Sequence, residues 1–200
     1  MNLPDLERQL AFLREIDRLK SVIRMSPLID QSRRENSAEH SWHLAMYALV
    51  LAEHAAAPVD VLRVVKMLLI HDIVEIDAGD APFHATSVDT SHAAEQVAAE
   101  QRAAERLLSM LPAAQATEFR SLWEEFEAGE SNDARFGKAL DRFQPLLHNV
   151  ATSGGTWVAA QVTEAQAMER YQPPIERGAP VLWDEAARLV KAHFAKAVAE

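Results

Sequence analysis

The sequence predicts an all-α protein, a single orthogonal bundle of helices over residues 1–200, on three observations. Apolar residues recur at spacings of three and four over most of the chain, the period of helices that bury one face. No stretch shows the strict apolar/polar alternation of a half-buried strand. Six glycines and nine prolines among 200 residues are few, and the Ala- and Leu-rich texture favours helix. With 48% hydrophobic residues the chain can bury a sizeable core.

Taken in order, Leu6, Leu10, Leu13, Ile16, Leu19 and Ile23 predict a surface helix over residues 5–23. Residues 24–35 read as an irregular segment. It concentrates Arg24, Arg33 and Arg34 in an otherwise acidic chain, as a solvated loop or as an anion-binding one, since guanidinium forks match phosphate oxygens. Asn36-Ser37-Ala38-Glu39 is a capping box that opens a helix running to about Ala57. His40 and His43 share one face of its start, and spacing does not choose between them. Pro58 ends this helix and Asp60 helps to start the next.

That next helix organises the chain. Val61 to Ile70 is apolar but for Arg63 and Lys66, and the helix continues to Gly79. A helix apolar nearly all round belongs inside a core, yet its end carries His71, Asp72 and Glu75. Burying these groups bare costs several kcal/mol, and either hydrogen-bond partners within the core or a shared metal ion removes that cost. His71 and Asp72 differ by about 100° around a helix and can lean toward one ion. Glu75, one turn on, lies on the same face as an acid or base beside a metal-bound water.

Asp80-Ala81-Pro82 begins a loop to about Ser87, with His84 in it and His92 just after. An amphipathic helix follows over 90–110. Pro112 opens another, which carries Leu122, Trp123 and Phe126 and ends at Gly129. Ser131 caps a helix whose stripe is Phe136, Leu140, Phe143, Leu147 and Val150. Asp141 lies beside that stripe, and Pro145, four residues on, removes the donor for its carbonyl and predicts a bend. Gly154-Gly155 form a loop. A short helix near 161–170, a break at Pro173-Pro174 and a last helix over about 182–198 complete the chain.

A net charge of −10 disfavours a nucleic-acid partner, which selects basic surfaces. The absence of cysteine excludes disulfides and thiol nucleophiles and permits a cytoplasmic location. No apolar run approaches the ~20 residues of a membrane span, and residues 1–24 lack an apolar signal core.

One histidine early, a His-Asp doublet on the central helix and one aspartate much later make an ordered set: Glu39-His40, His71-Asp72 and Asp141. This resembles the HD-domain superfamily of metal-dependent phosphohydrolases. Arg33-Arg34-Glu35-Asn36-Ser37-Ala38-Glu39-His40 looks like the R-x-E-N/S-x-S/A-E/D-H segment of the branch that includes 5'-deoxynucleotidases. His71 to Asp80 looks like that branch's H-D-x-x-E-x-x-x-G-D. The likeness spans about residues 5–150, leaving the C-terminal helices of 160–200 without a motif.

The resemblance implies an HD-type bundle with one divalent metal (Mn, Co, Fe, Zn or Mg) held by His40, His71, Asp72 and Asp141. It selects His40 over His43. It implies Glu75 acting on the attacking water, Asp80 positioning or protonating near the ester, and a small phosphorylated substrate, most simply a nucleoside 5'-monophosphate. Such an ion lowers the pKa of bound water from 15.7 to about 7 in favourable cases. Arg24 and Arg33 are the candidate phosphate anchors. The branch places an arginine and then an aromatic before the loop proline. Here the residues are Arg24-Met25-Ser26-Pro27, so weak discrimination between ribose and deoxyribose is expected. His84 and His92 do not match the spacing of a second metal site. Relatives in the branch dimerise, and the apolar last helix with Trp183 and Phe194 predicts a homodimer. The alternative is an HD domain that binds a nucleotide or metal for regulation without turnover. Glu75 and Asp80 argue against it, because a pure binder does not need them.

Overall fold

A computed structural model describes residues 3–80 and 90–197, without the side chains of 90–93 and 197. The expected loop from Ala81 to Ser87, with His84, and the His92 side chain lie outside the described residues. The architecture is all-α with one small sheet. In order come α1 (Leu3–Ile16), a 3-10 turn (Asp17–Ser21), β1 (Ile23–Pro27), β2 (Arg34–Asn36), α2 (Ser37–Leu51), a 3-10 turn (Ala52–His54) and α3 (Val61–Ile70). A 3-10 turn (His71–Val74), α4 (Glu75–Ala78), α5 (Thr90–Leu108), α6 (Ala113–Ala128), α7 (Asn132–Ala151), α8 (Gly155–Ala159), α9 (Glu164–Gly178) and α10 (Pro180–Ala197) follow. None of the described helices is long and apolar enough to cross a membrane.

The signals at helix ends act as their chemistry dictates. Asn36 accepts from the Glu39 amide at 3.0 Å while the Glu39 side chain returns to the Asn36 amide, closing the capping box of α2. Asp60 caps α3 and Ser131 caps α7. Gly129 ends α6 in the left-handed conformation.

α3 is buried through Val64, Met67, Leu68 and Ile70, and packs against α2, α6 and α7. α7 contributes Phe136, Leu140, Phe143 and Leu146 and also contacts α9 and α10, so Asp141, Gln144, His148 and Asn149 are buried among other elements. Both helices enter the same buried cluster, and that is what carries their charged residues inside.

The structure corrects several expectations, among them the first helix, which ends at Ile16, and the second, which ends at Leu51. Residues 24–35 hold a two-stranded antiparallel sheet, with Ile23 opposite Asn36 and Pro27 opposite Arg34. The central helix is not continuous: it tightens to a 3-10 turn at His71 before α4. α9 runs through Pro173-Pro174, where its buried face of Tyr171, Ile175 and Gly178 against α7 outweighs the lost backbone bonds. Trp183 is buried in the chain's own core, and Phe194 stacks on Trp157 at 5.6 Å between ring centroids. These aromatics satisfy themselves within one chain, so they give no reason for a dimer. α7 remains one helix across Pro145.

Candidate metal centre

Three segments bring four side chains together. The capping box sets the first turn of α2 and places His40 wholly inside. α3 delivers His71 and Asp72 where it tightens to the 3-10 turn. α7 presents Asp141 from its middle. His40 Nε2 lies 3.0 Å from Asp141 Oδ1 and 3.9 Å from Asp72 Oδ2. His71 Nε2 lies 2.9 Å from Asp72 Oδ1 and 3.7 Å from Asp141 Oδ1. Atoms bound ~2.1 Å from one ion stand roughly 3 Å apart, and this spacing is close to that.

The ring of His71 is oriented from behind. Its Nδ1 lies 2.8 Å from the Leu68 carbonyl, which can only accept, so Nδ1 carries a proton and Nε2 is the nitrogen turned toward the carboxylates. The Trp123 indole N–H holds the His71 carbonyl at 3.2 Å. Buried His71 Nε2 makes no hydrogen bond among the described residues. Two imidazoles and two carboxylates around such an atom fit a divalent cation. Ligand atoms of His40, His71 and Asp72 all lie within 4.8 Å of one another.

Glu75 and Asp80 stand beside this set. Glu75 opens α4 and is 8% exposed, with Oε2 accepting from Ser37 Oγ at 2.5 Å. Gly79 adopts φ +78°, a conformation that favours glycine, and turns the chain so that Asp80 comes back to the cluster. Arg24, only 12% exposed in its side chain, reaches into the acids from β1. Its Nη1 lies 2.9 Å from Asp72 Oδ2, 3.6 Å from Asp80 Oδ1 and 3.7 Å from Glu75 Oε1. Arg33 sits elsewhere: its fork closes on the Glu39 carboxylate at 2.6 and 2.9 Å, its side chain is 54% exposed, and it is not among the cavity's lining residues.

The charges shape one another. Burial first, then the Asp72 charge, pushes the Glu75 carboxyl up to about 9. Burial likewise raises Asp80, opposed by Arg24. Burial opposes a charged His71, but Asp72 and Asp141 outweigh it and hold that imidazole at about 10. Burial also disfavours ionised Asp72, yet His71 and Arg24 keep it at about 2. Over these groups opens a cavity of about 320 Å³. Val74, Val97, Trp123 and Phe126 give it apolar walls, and Lys138 and Arg142 add cations.

An HD domain family model matches residues 16–183. The chain belongs to the HD domain family. A solved structure described as a predicted metal-dependent phosphohydrolase from Magnetospirillum magnetotacticum MS-1 superposes with a TM-score of 0.89 at 47% identity, covering 97% of each chain. The curated 5'-deoxynucleotidase HDDC2 of Homo sapiens is 31% identical over 140 residues, 69% of this chain and 65% of that protein. The chain thus spans just under two thirds of that relative's length. A 5'-deoxynucleotidase of Erwinia tasmaniensis is 32% identical over 75% of this chain and 78% of its own.

Several groups around the centre of this HD domain escape the motif reading. Ser37 on Glu75, Trp123 on the His71 carbonyl and Lys138 at the cavity are three. A buried row on α7 adds Gln144 and His148, at 0% and 2% exposure. Their signal was present: Asp141, Gln144 and His148 follow one another at spacings of three and four along a helix whose apolar stripe marks it as buried. Glu35, inside the quoted motif, is 1% exposed and lies 3.5 Å from His40 Nδ1. His43, the rival of His40, packs edge-on against Tyr47 and stays apart from the doublet's cluster.

Proposed function

We propose that this HD domain is a metal-dependent phosphomonoesterase that hydrolyses nucleoside 5'-monophosphates or closely similar small phosphorylated metabolites. The observation that carries the reading is the convergence of His40, His71, Asp72 and Asp141 beside Glu75 and Asp80, at a cavity with both cationic and apolar lining. The names of the HDDC2 and Erwinia relatives support the nucleotide class.

In this reading the four side chains hold one divalent ion, with Mn, Co, Fe, Zn and Mg all compatible with the donor set. When bound, the ion supplies Lewis-acid activation of water and neutralises part of the phosphate charge. Its charge also favours the ionised form of Glu75. Glu75 then takes a proton as the water oxygen bonds to phosphorus. Asp80, whose carboxyl is raised, gives a proton to the leaving 5'-oxygen as the P–O bond breaks. Arg24 offers its guanidinium to the phosphoryl oxygens, with the Asp72 contact as the one exchanged. Arg33 keeps the capping box in place and takes no part in phosphate binding. No aromatic follows Arg24, so the sugar is held loosely. A cytoplasmic homodimer remains part of the proposal. The row of Trp42, Met46, Leu49 and Val50, exposed on α2, suits a partner face better than α10 does.

Phosphate release from paired ribo- and deoxyribonucleoside monophosphates, with each metal in turn, tests the proposal. We expect turnover, weak sugar discrimination and a kcat/KM for Arg24→Ala lower by about two orders of magnitude, the scale of a lost charge-assisted contact. No release with any metal overturns the phosphatase reading, and an unchanged kcat/KM in Arg24→Ala removes the anchor.

A further inference from the structure

Glu35 is a buried carboxylate that the reaction above does not use, and its contacts form a connected set. Its Oε1 accepts from Gln144 Nε2 at 2.9 Å. That amide nitrogen also lies 3.1 Å from His148 Nε2 and 3.4 Å from His43 Nδ1. His148 Nδ1 is 3.2 Å from the Pro27 carbonyl, so it bears the proton and leaves Nε2 to accept from Gln144. The second oxygen, Oε2, lies 3.5 Å from His40 Nδ1 and 3.8 Å from Arg24 Nε, and all three atoms are buried without a hydrogen bond among the described residues.

The two candidate imidazole ligands are therefore oriented by different means. His71 has a backbone carbonyl behind it, which no substitution removes. His40 is fully buried, and the acceptor facing its Nδ1 is a side chain. For Nε2 to face Asp72 and Asp141 with a free lone pair, Nδ1 must carry the proton and have somewhere to donate it.

We propose that Glu35 is a positioning residue of the metal centre: clamped by Gln144, it receives the Nδ1 proton of His40 and the Nε–H of Arg24, and so fixes both the ligand and the phosphate anchor. The inference rests on His40 being a ligand. Glu35, His43 and His148 also form a set able to hold a cation, but the Gln144 nitrogen sits among them, giving its two N–H to Glu35 and His148 and lying 3.4 Å from His43 Nδ1.

Cobalt(II) titration of the full chain, followed by the visible absorption of the bound ion and by chelator competition, tests the proposal. Near-isosteric Glu35→Gln should weaken cobalt binding 10–100-fold, the usual effect of losing such an outer partner. The melting temperature of the metal-free protein should stay within a few degrees. In a His40→Ala background the same substitution should add less than twofold. Gln144→Met, which removes the clamp and keeps the carboxylate, should weaken binding less than Glu35→Gln. Unchanged affinity in both single variants overturns the proposal, as does an equal loss with and without His40. Two cobalt ions per chain, one lost in His148→Ala, would overturn it by making Glu35 a ligand of its own ion. If His40→Ala binds cobalt as tightly as wild type, the metal-centre reading itself has failed.

Discussion

Glu75→Gln separates what this site costs the fold from what it gives the reaction. The Glu75 carboxyl titrates near 4.5 when exposed and at about 9 in the folded, metal-free chain, held up by burial and by Asp72. A folded-state pKa above the unfolded one means that folding takes up a proton. The native state is unpenalised below pH 4.5, and stability falls as pH rises from there to about 9. At pH 7 the penalty reaches about 3 kcal/mol, at 1.36 kcal/mol per pKa unit. Glutamine keeps the shape and a partner for Ser37 but has nothing to titrate. Metal-free Glu75→Gln should therefore be about 1–3 kcal/mol more stable than wild type at pH 7, some 2–4 °C in melting temperature per kcal/mol for a chain of this size. The gain should vanish at pH 4. Metal content should persist, while turnover falls by about 10²–10⁴. Calorimetry at pH 4, 7 and 8.5 with metal removed provides the measurement. A gain that is absent at pH 7, or equal at pH 4 and pH 7, refutes the reasoning.

Asp72→Ala should lose bound metal and activity together, read by elemental analysis of dialysed protein, whereas Glu75→Ala should lose activity alone. Burial holds His148 and His43 below the ordinary imidazole range. A depressed folded pKa means their contribution is complete above about pH 6.5 and is lost as pH falls below it. Wild-type melting temperature should therefore fall relative to that of His148→Gln on acidification through that range, and a constant difference would remove the histidine contribution. A Cβ on Gly178 would lie 2.1 Å from the Arg135 carbonyl oxygen and 2.8 Å from Ala139 Cβ, so α7 and α9 approach across it. Gly178→Ala should destabilise by roughly 3–5 kcal/mol, the range of severe core substitutions. A melting temperature near wild type would show that the two helices separate freely.

The helices and their ends were legible because local chemistry sets them. The capping box at Asn36, the caps at Asp60 and Ser131 and the stop at Gly129 depend on residues within a turn of one another. The candidate ligand set came from the resemblance of its motifs to the HD family, since helical spacing did not choose between His40 and His43. Three features were not legible. The strand β1 hides because its pattern is inverted: Ile23 and Met25 are exposed while Arg24 and Ser26 turn inward, as a strand does when its inner face looks onto charge rather than a core. The prolines of α9 break a helix by local rule, and only packing against α7 carries it through. The C-terminal aromatics looked like surplus surface because nothing local shows that Trp157 receives Phe194.

The sequence by itself determined the helical class, the caps and the order of the site residues, all properties of neighbours along a chain. The tertiary structure alone decided that Asp141 meets His40 and that Arg24 of β1 enters the acids at Asp72. Those outcomes depend on which buried charge finds which partner across more than thirty residues of chain, and burial makes each such pairing too costly to leave undone.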